Sequence, residues 1–82
     1  MDKIDRVKLS TRLLFVAHEI DRDELLLINA VARLNEHKIK PHIFYTTEEL
    51  EYEVSKIEDK ISKSKDMFNQ LTKELYDICS GT

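Results

Sequence analysis

The most regular pattern of the chain lies in its second half. Apolar side chains recur there at alternating steps of four and three residues, and Ser64 is the single polar interruption. A heptad repeat of this kind lays one apolar stripe along a helix and is typical of a coiled coil. We call its members the C-terminal seam: Leu50, Val54, Ile57, Ile61, Ser64, Phe68, Leu71, Leu75 and Ile78.

Local signals mark where this helix begins and ends. Thr46 and Glu49 have the spacing of a capping box, in which a hydroxyl and a carboxylate satisfy the first amide groups of a helix. No glycine or proline lies between Pro41 and Gly81. We therefore predict one long amphipathic helix over residues 47-79.

The first half of the chain predicts two shorter helices, about 6-20 and 22-38. Both have apolar residues at helical spacing, and the first could begin near Asp2 or later, at a hydroxyl cap. Between them, Asp21 and Glu24 have the spacing of another capping box. Two helices joined by a tight turn would form a helical hairpin.

Residues 39-46 separate this predicted hairpin from the long helix. Pro41 has no amide hydrogen and pushes Lys40 away from helical dihedrals, so the preceding helix must end before it. The segment "HIFYTT" is rich in residues that favour extended backbone, but only "RVKLS" near the N-terminus could pair with it. We predict an extended connector in which "IFY" is either buried or faces a partner.

These elements predict an all-α protein with one small domain over residues 1-82. The C-terminal seam can pack on the two hairpin helices, whose apolar faces need a cover. These helices are shorter than the C-terminal helix, so part of the seam should project beyond them. We expect this projecting part and the connector to bind a protein partner. The candidate partner-binding residues are His42, Phe44, Tyr45, Phe68, Leu71, Leu75 and Ile78.

The C-terminal seam could also pair with a second copy of itself. A parallel homodimer would oppose Glu53 with Glu58 and Lys60 with Lys65, which repels both pairs. An antiparallel homodimer brings Glu58 towards Lys65 instead. Exposed pairs contribute only a few tenths of a kcal/mol each, so they bias the choice towards the antiparallel form.

Composition argues against several classes of function. The chain has 82 residues, 35% of them charged, and a net charge of -3, which disfavours nonspecific binding to nucleic acid. Its one glycine cannot form a phosphate-binding loop, and no catalytic arrangement stands out. The three histidines and Cys79 lack the spacing of a metal site. We predict a non-enzymatic protein without metal or cofactor.

The expected location is the cytoplasm. Cys79 is the only cysteine, so no internal disulfide can form, and a reducing compartment fits best. The N-terminus lacks the features of a signal peptide. The longest apolar runs are far shorter than the roughly 20 residues that span a bilayer, so no direct membrane insertion is expected.

Two functional hypotheses are compatible with this pattern. The alternative is a small winged-helix DNA-binding regulator, with 10-20 and 22-37 as a helix-turn-helix and the last helix for dimerisation. Arg22 and Arg33 could approach phosphates, but acidic neighbours weaken that face. The first hypothesis is a protein-binding regulator, which uses a spare apolar seam to hold a helical partner.

The chain as a whole resembles the small cytoplasmic antiholins of T-even phages, which are encoded at the third rapid-lysis locus. The resemblance lies in the 82-residue length, the missing signal sequence, the acidic helical character and the abundance of Lys, Ile and Glu. It includes no motif, so it assigns no functional residue. It implies a non-enzymatic protein that binds the cytosolic N-terminal part of a membrane holin and inhibits lysis.

Overall fold

The protein is a hairpin of two long helices. A computed structural model describes residues 3–41 and 43–80, and in these ranges the regular elements are α1, Lys3–Ile39, and α2, Thr47–Ser80. The helices lie side by side in a rod of 60 × 15 × 14 Å. The prediction of an all-α protein is confirmed, and the described ranges contain no β-strand.

The first half of the chain is one helix, so the prediction of two helices at about 6-20 and 22-38 is wrong. α1 passes through residues 20–24 without a break. The hairpin shape is present, but it is formed by α1 and α2 instead of within the first half. The helix-turn-helix on which the DNA-binding alternative depended is therefore not formed.

The physical reason is a second heptad repeat, which crosses the predicted break without losing its phase. We call its members the N-terminal seam: Leu9, Leu13, Val16, Ile20, Asp23, Leu27, Ala30, Leu34 and His37. These positions also alternate by steps of four and three residues, and no glycine or proline interrupts them. A break near Asp21 would have turned the following half of this stripe away from α2.

Glu24, one of the two residues that suggested a new helix start, lies in mid-helix and contacts α2, as does the neighbouring Asp23. An oxygen of Asp23 is 3.4 Å from the Lys60 ammonium, and an oxygen of Glu24 is 3.4 Å from that of Lys65. Both carboxylates thus form ion pairs across the hairpin. Asp21 and Glu24 have the spacing of a capping box, but α1 continues through both of them.

The start of α2 follows the local signals of the sequence. The amide of Glu49 donates a hydrogen bond of 3.1 Å to the Thr46 hydroxyl oxygen, and the amide of Leu50 donates to the Thr46 carbonyl. Thr46 is therefore the N-cap. Upstream, the amide of Lys40 donates to the Glu36 carbonyl at the end of α1, immediately before Pro41.

The two seams face each other along the whole rod and form its core. Every position of both seams is buried or half-buried. The most buried apolar side chains of the seams are Val16, Ala30, Leu34, Leu50, Ile61 and Leu71. Because α1 is as long as α2, the expectation that the C-terminal seam projects beyond its cover is wrong. Leu71, within the supposed projection, is only 4% exposed.

Candidate partner-binding surfaces

The connector places a cluster of apolar side chains at one end of the rod. We call this the turn-end cluster; it consists of Ile39, Ile43, Phe44 and Tyr45. Ile43 is 89% exposed and Phe44 is 77% exposed, so the segment that could have been buried faces outward. His42, another candidate residue, lies outside the described residues.

An open cleft of about 660 Å³ lies beside the turn-end cluster. Ile39, Pro41, Tyr45 and Leu50 give it apolar walls, and the charged side chains lie among them. Its lining consists of Arg33, Glu36, His37, Ile39, Lys40, Pro41, Tyr45 and Leu50. A cleft with apolar walls and a few polar groups is the usual form of a site for an anchoring side chain.

The first turn of α2 adds exposed carboxylates at the same end of the rod as this cleft, whose own charged lining includes Arg33 and Lys40. Glu48, Glu49 and Glu51 are all exposed there. Their positions near the positive end of the helix dipole stabilise α2, and they also create a local negative potential. A segment bearing lysine or arginine beside its apolar residues would complement this end of the rod.

The other four predicted partner-binding residues belong to the intramolecular core. Leu71 is buried in the C-terminal seam, and Phe68, Leu75 and Ile78 are half-buried there. The described candidate residues thus fall into two groups: Phe44 and Tyr45 lie at the turn end, and the other four lie in the C-terminal seam. A role in partner binding for the seam group stays a prediction, and it would require the hairpin to open.

The sequence interpretation missed an apolar surface on α1. Leu14, Leu25, Ile28 and Ala32 are exposed on the side of the helix that faces away from α2, and Val31 lies between them and the N-terminal seam. Leu25 is 63% exposed and Ile28 is 64% exposed. We call these five residues the outer face of α1. Leu25, Ile28 and Ala32 recur at helical spacing in the sequence, but only the position of α2 decides that this stripe is left uncovered.

A buried charge interrupts the core near the middle of the rod. Asp23 occupies a seam position and is 1% exposed. One carboxylate oxygen contacts Lys60, while the other, Oδ2, makes no hydrogen bond within the described part of the chain. Burying a charged oxygen without a hydrogen bond costs free energy. The seam is therefore weakest there, although its heptad phase is unbroken.

No group of three or more His, Cys, Asp or Glu among the described residues is placed to hold a metal ion. In the same part of the chain, neither helix combines the length and the apolar character required to cross a bilayer. The turn end and the outer face of α1 both present exposed apolar side chains.

Comparison with known proteins identifies no relative. No family model, no curated protein and no solved structure matches this chain.

Proposed function

We propose that this protein is a non-enzymatic regulator that binds another protein through the turn end of its helical hairpin. The observation that supports this proposal is the exposure of the turn-end cluster. Phe44 and Ile43 are among the most exposed large apolar side chains of the described residues, and Ile39 and Tyr45 of the same cluster line a cleft with apolar walls. Exposed apolar residues grouped in this way are typical of protein-interaction sites.

The sharpest form of the proposal is a cytoplasmic antiholin. In this form the partner is the cytosolic N-terminal part of a phage holin, and binding inhibits lysis. The carboxylates in the first turn of α2 support it, because cytosolic segments next to membrane spans are commonly rich in Lys and Arg. Such a segment would place an apolar side chain in the cleft and its basic residues near Glu48 and Glu49.

Binding can be tested with a labelled peptide that corresponds to the N-terminal cytosolic segment of a T-even phage holin. We expect the full chain to raise the fluorescence anisotropy of this peptide. Replacing Phe44 by Asp should weaken binding by about 30-fold, because the loss of an aromatic anchor costs about 2 kcal/mol. In bacterial cells that also produce the holin, the parent protein should delay lysis and the Phe44→Asp variant should not.

The matched control is Tyr76→Asp. Tyr76 is also an exposed aromatic residue, but it lies near the C-terminal end of α2, far from the turn. This variant should bind the peptide and delay lysis like the parent. Equal binding by the Phe44→Asp and parent proteins would contradict the turn-end assignment. Absence of binding by the parent would contradict the antiholin form.

A further inference from the structure

We infer that a second copy of this chain covers the outer face of α1, so that the protein is an antiparallel dimer joined through α1. The inference concerns a different surface from the turn end and does not depend on the proposed partner. It follows from three features of the structure: the spacing of the exposed apolar residues, the exposed area of the chain, and the charges beside the stripe.

The outer face continues the heptad geometry of the hairpin on the opposite side of α1. The positions 14, 18, 21, 25, 28, 32 and 35 alternate by steps of four and three residues, and Leu14, Leu25, Ile28 and Ala32 are the apolar ones. Val31 widens the stripe on one side. A stripe with this period fits the side of another helix, because both surfaces then repeat every seven residues.

The exposed area of the rod-shaped chain is large enough to accommodate such a contact. The chain exposes 6634 Å², whereas a compact monomer of 9.7 kDa would expose about 5,100 Å². The excess is about 1,500 Å², and an ordinary protein interface buries about 800 Å² on each partner. One contact along α1 would thus remove about half of the excess.

The partner helix is best supplied by α1 of a second copy. The outer side of α2 is mostly charged or polar, with exposed residues such as Lys56, Asp59, Lys63 and Asp66. It offers no matching stripe. In contrast, the outer face of α1 is complementary to itself, as a twofold symmetric contact requires.

The charges favour an antiparallel orientation. A parallel pair in register would place Asp21 of one copy opposite Asp21 of the other, within the stripe. An antiparallel pair can place Leu25 opposite Ile28 and Asp21 opposite Ala32, which separates the like charges. The same register places His18 opposite Asn35, so that these polar residues face each other across the interface.

Such a dimer would have its two turn ends at opposite ends of the assembly. Each α1 would lie between its own α2 and α1 of the other copy. The same register places Ile39 of the turn-end cluster opposite Leu14 of the other copy, whereas Ile43, Phe44 and Tyr45 follow the end of α1 and would remain open. The dimer would therefore have two widely separated partner-binding sites.

Sedimentation equilibrium of the full chain tests the stoichiometry. In the micromolar range we expect a mass of about twice 9.7 kDa. Replacing Ile28 by Glu should reduce the mass to that of the monomer and leave the helical circular dichroism signal unchanged, because Ile28 does not contribute to the seams. Asn69→Glu, on the exposed side of α2, is the control and should remain dimeric.

Disulfide trapping tests the orientation and does not rely on a disruptive variant. In chains that carry Cys79→Ser, we place one cysteine by His18→Cys or by Asn35→Cys. A mixture of the two variants should form the 18–35 disulfide between chains. Neither variant alone should cross-link efficiently, because antiparallel packing separates the two copies of position 18 by about 25 Å.

Several results would overturn the inference. A monomeric mass for the parent protein throughout the concentration range would contradict it, as would a dimer that survives Ile28→Glu but is lost in Asn69→Glu. Efficient 18–18 cross-linking in the His18→Cys variant alone would contradict the antiparallel orientation. Loss of peptide binding by Phe44→Asp with an unchanged dimer mass would show that the two surfaces act separately.

Discussion

The two helices have similar lengths but use their surfaces differently. α2 has one apolar face, the C-terminal seam, which α1 covers, and its opposite side is mostly charged or polar. α1 has the N-terminal seam and, in addition, exposed apolar side chains on the side away from α2. A two-helix hairpin requires one apolar face from each helix. The second face of α1 therefore requires an explanation outside the hairpin.

The difference shows that partner binding should be sought on α1 and at the turn. The long heptad repeat of α2 is the more regular coiled-coil pattern, but its apolar positions stabilise the fold of a single chain. The pattern of α1 is less regular, and this helix has apolar side chains that α2 does not cover. A helix with a wide apolar arc is typically covered on more than one side, and the proposed dimer would supply that second cover for α1.

The largest expected effect is on the free energy of unfolding, when a leucine is replaced by alanine on each of the two faces of α1. Leu34→Ala removes a side chain from the seam and should lower the free energy of unfolding by about 2 to 4 kcal/mol at every protein concentration. Leu25→Ala, on the outer face, should cost under about 0.5 kcal/mol in dilute protein. Urea unfolding followed by circular dichroism measures both values.

The same pair of variants also tests the dimer. Association stabilises the folded chain by mass action, so the cost of Leu25→Ala should grow as the protein concentration rises. The cost of Leu34→Ala should not depend strongly on concentration. Equal costs for the two variants in dilute protein would contradict the division of α1 into a packed and an outer face.

The next effect concerns the buried charge in the N-terminal seam. Asp23→Leu should raise the free energy of unfolding by about 1 to 2 kcal/mol, because an apolar side chain replaces a carboxylate with an oxygen that lacks a hydrogen bond. Lys60 is more than half exposed and does not need the ion pair. A gain of this size should raise the melting temperature by roughly 5 to 10 °C.

Asp59→Leu is the control for this substitution. Asp59 has the same side chain on the exposed side of α2, and its replacement should change stability by less than about 0.5 kcal/mol. If Asp23→Leu destabilises the protein instead, the ion pair with Lys60 contributes more than the burial of the carboxylate costs. The weak point of the seam would then lie elsewhere.

A smaller effect is expected at the start of α2. Thr46→Ala removes the oxygen that accepts the hydrogen bond from the Glu49 amide, and it should cost about 1 kcal/mol. Thr46→Ser keeps the hydroxyl and should restore nearly the parent stability in thermal unfolding. If the alanine variant is as stable as the serine variant, seam packing alone fixes the start of α2.

The smallest expected effect comes from an exposed ion pair between the helices. Arg33 and Glu53 are 3.0 Å apart, but both side chains are well exposed to water. A double-mutant cycle with alanine at both positions should give a coupling of about 0.2 to 1 kcal/mol, which salt should reduce. A coupling that is larger and insensitive to salt would show that this pair helps to define the hairpin.

The sequence predicted α2 well because the signals for this helix are local. The Thr46 cap, the proline before it and the unbroken heptad repeat all lie within or beside the helix. The exposed "IFY" segment was recognised as one of two possibilities. Its exposure could not be decided from sequence, since it depends on whether any other part of the chain reaches the turn end.

The prediction of a helix break at residues 21–24 was wrong because acidic residues can either cap a new helix or form ion pairs with a neighbouring helix. Asp21 and Glu24 are spaced like a capping box, but Asp23 and Glu24 pair with lysines of α2. Asp23 and Lys60 are 37 positions apart in the chain. No local pattern reports whether a distant lysine will be present, so the continuity of α1 and the cover of the C-terminal seam were both misjudged.

The sequence by itself determined the helical class, the position of the turn and the extent of α2, because proline chemistry, capping and periodic apolar spacing act between near neighbours. Only the tertiary structure decided that α1 is a single helix and which of its apolar stripes faces α2. Those outcomes follow from burying one stripe against a helix that is distant in sequence. The other stripe then stays exposed, and the candidate binding surfaces follow from that choice.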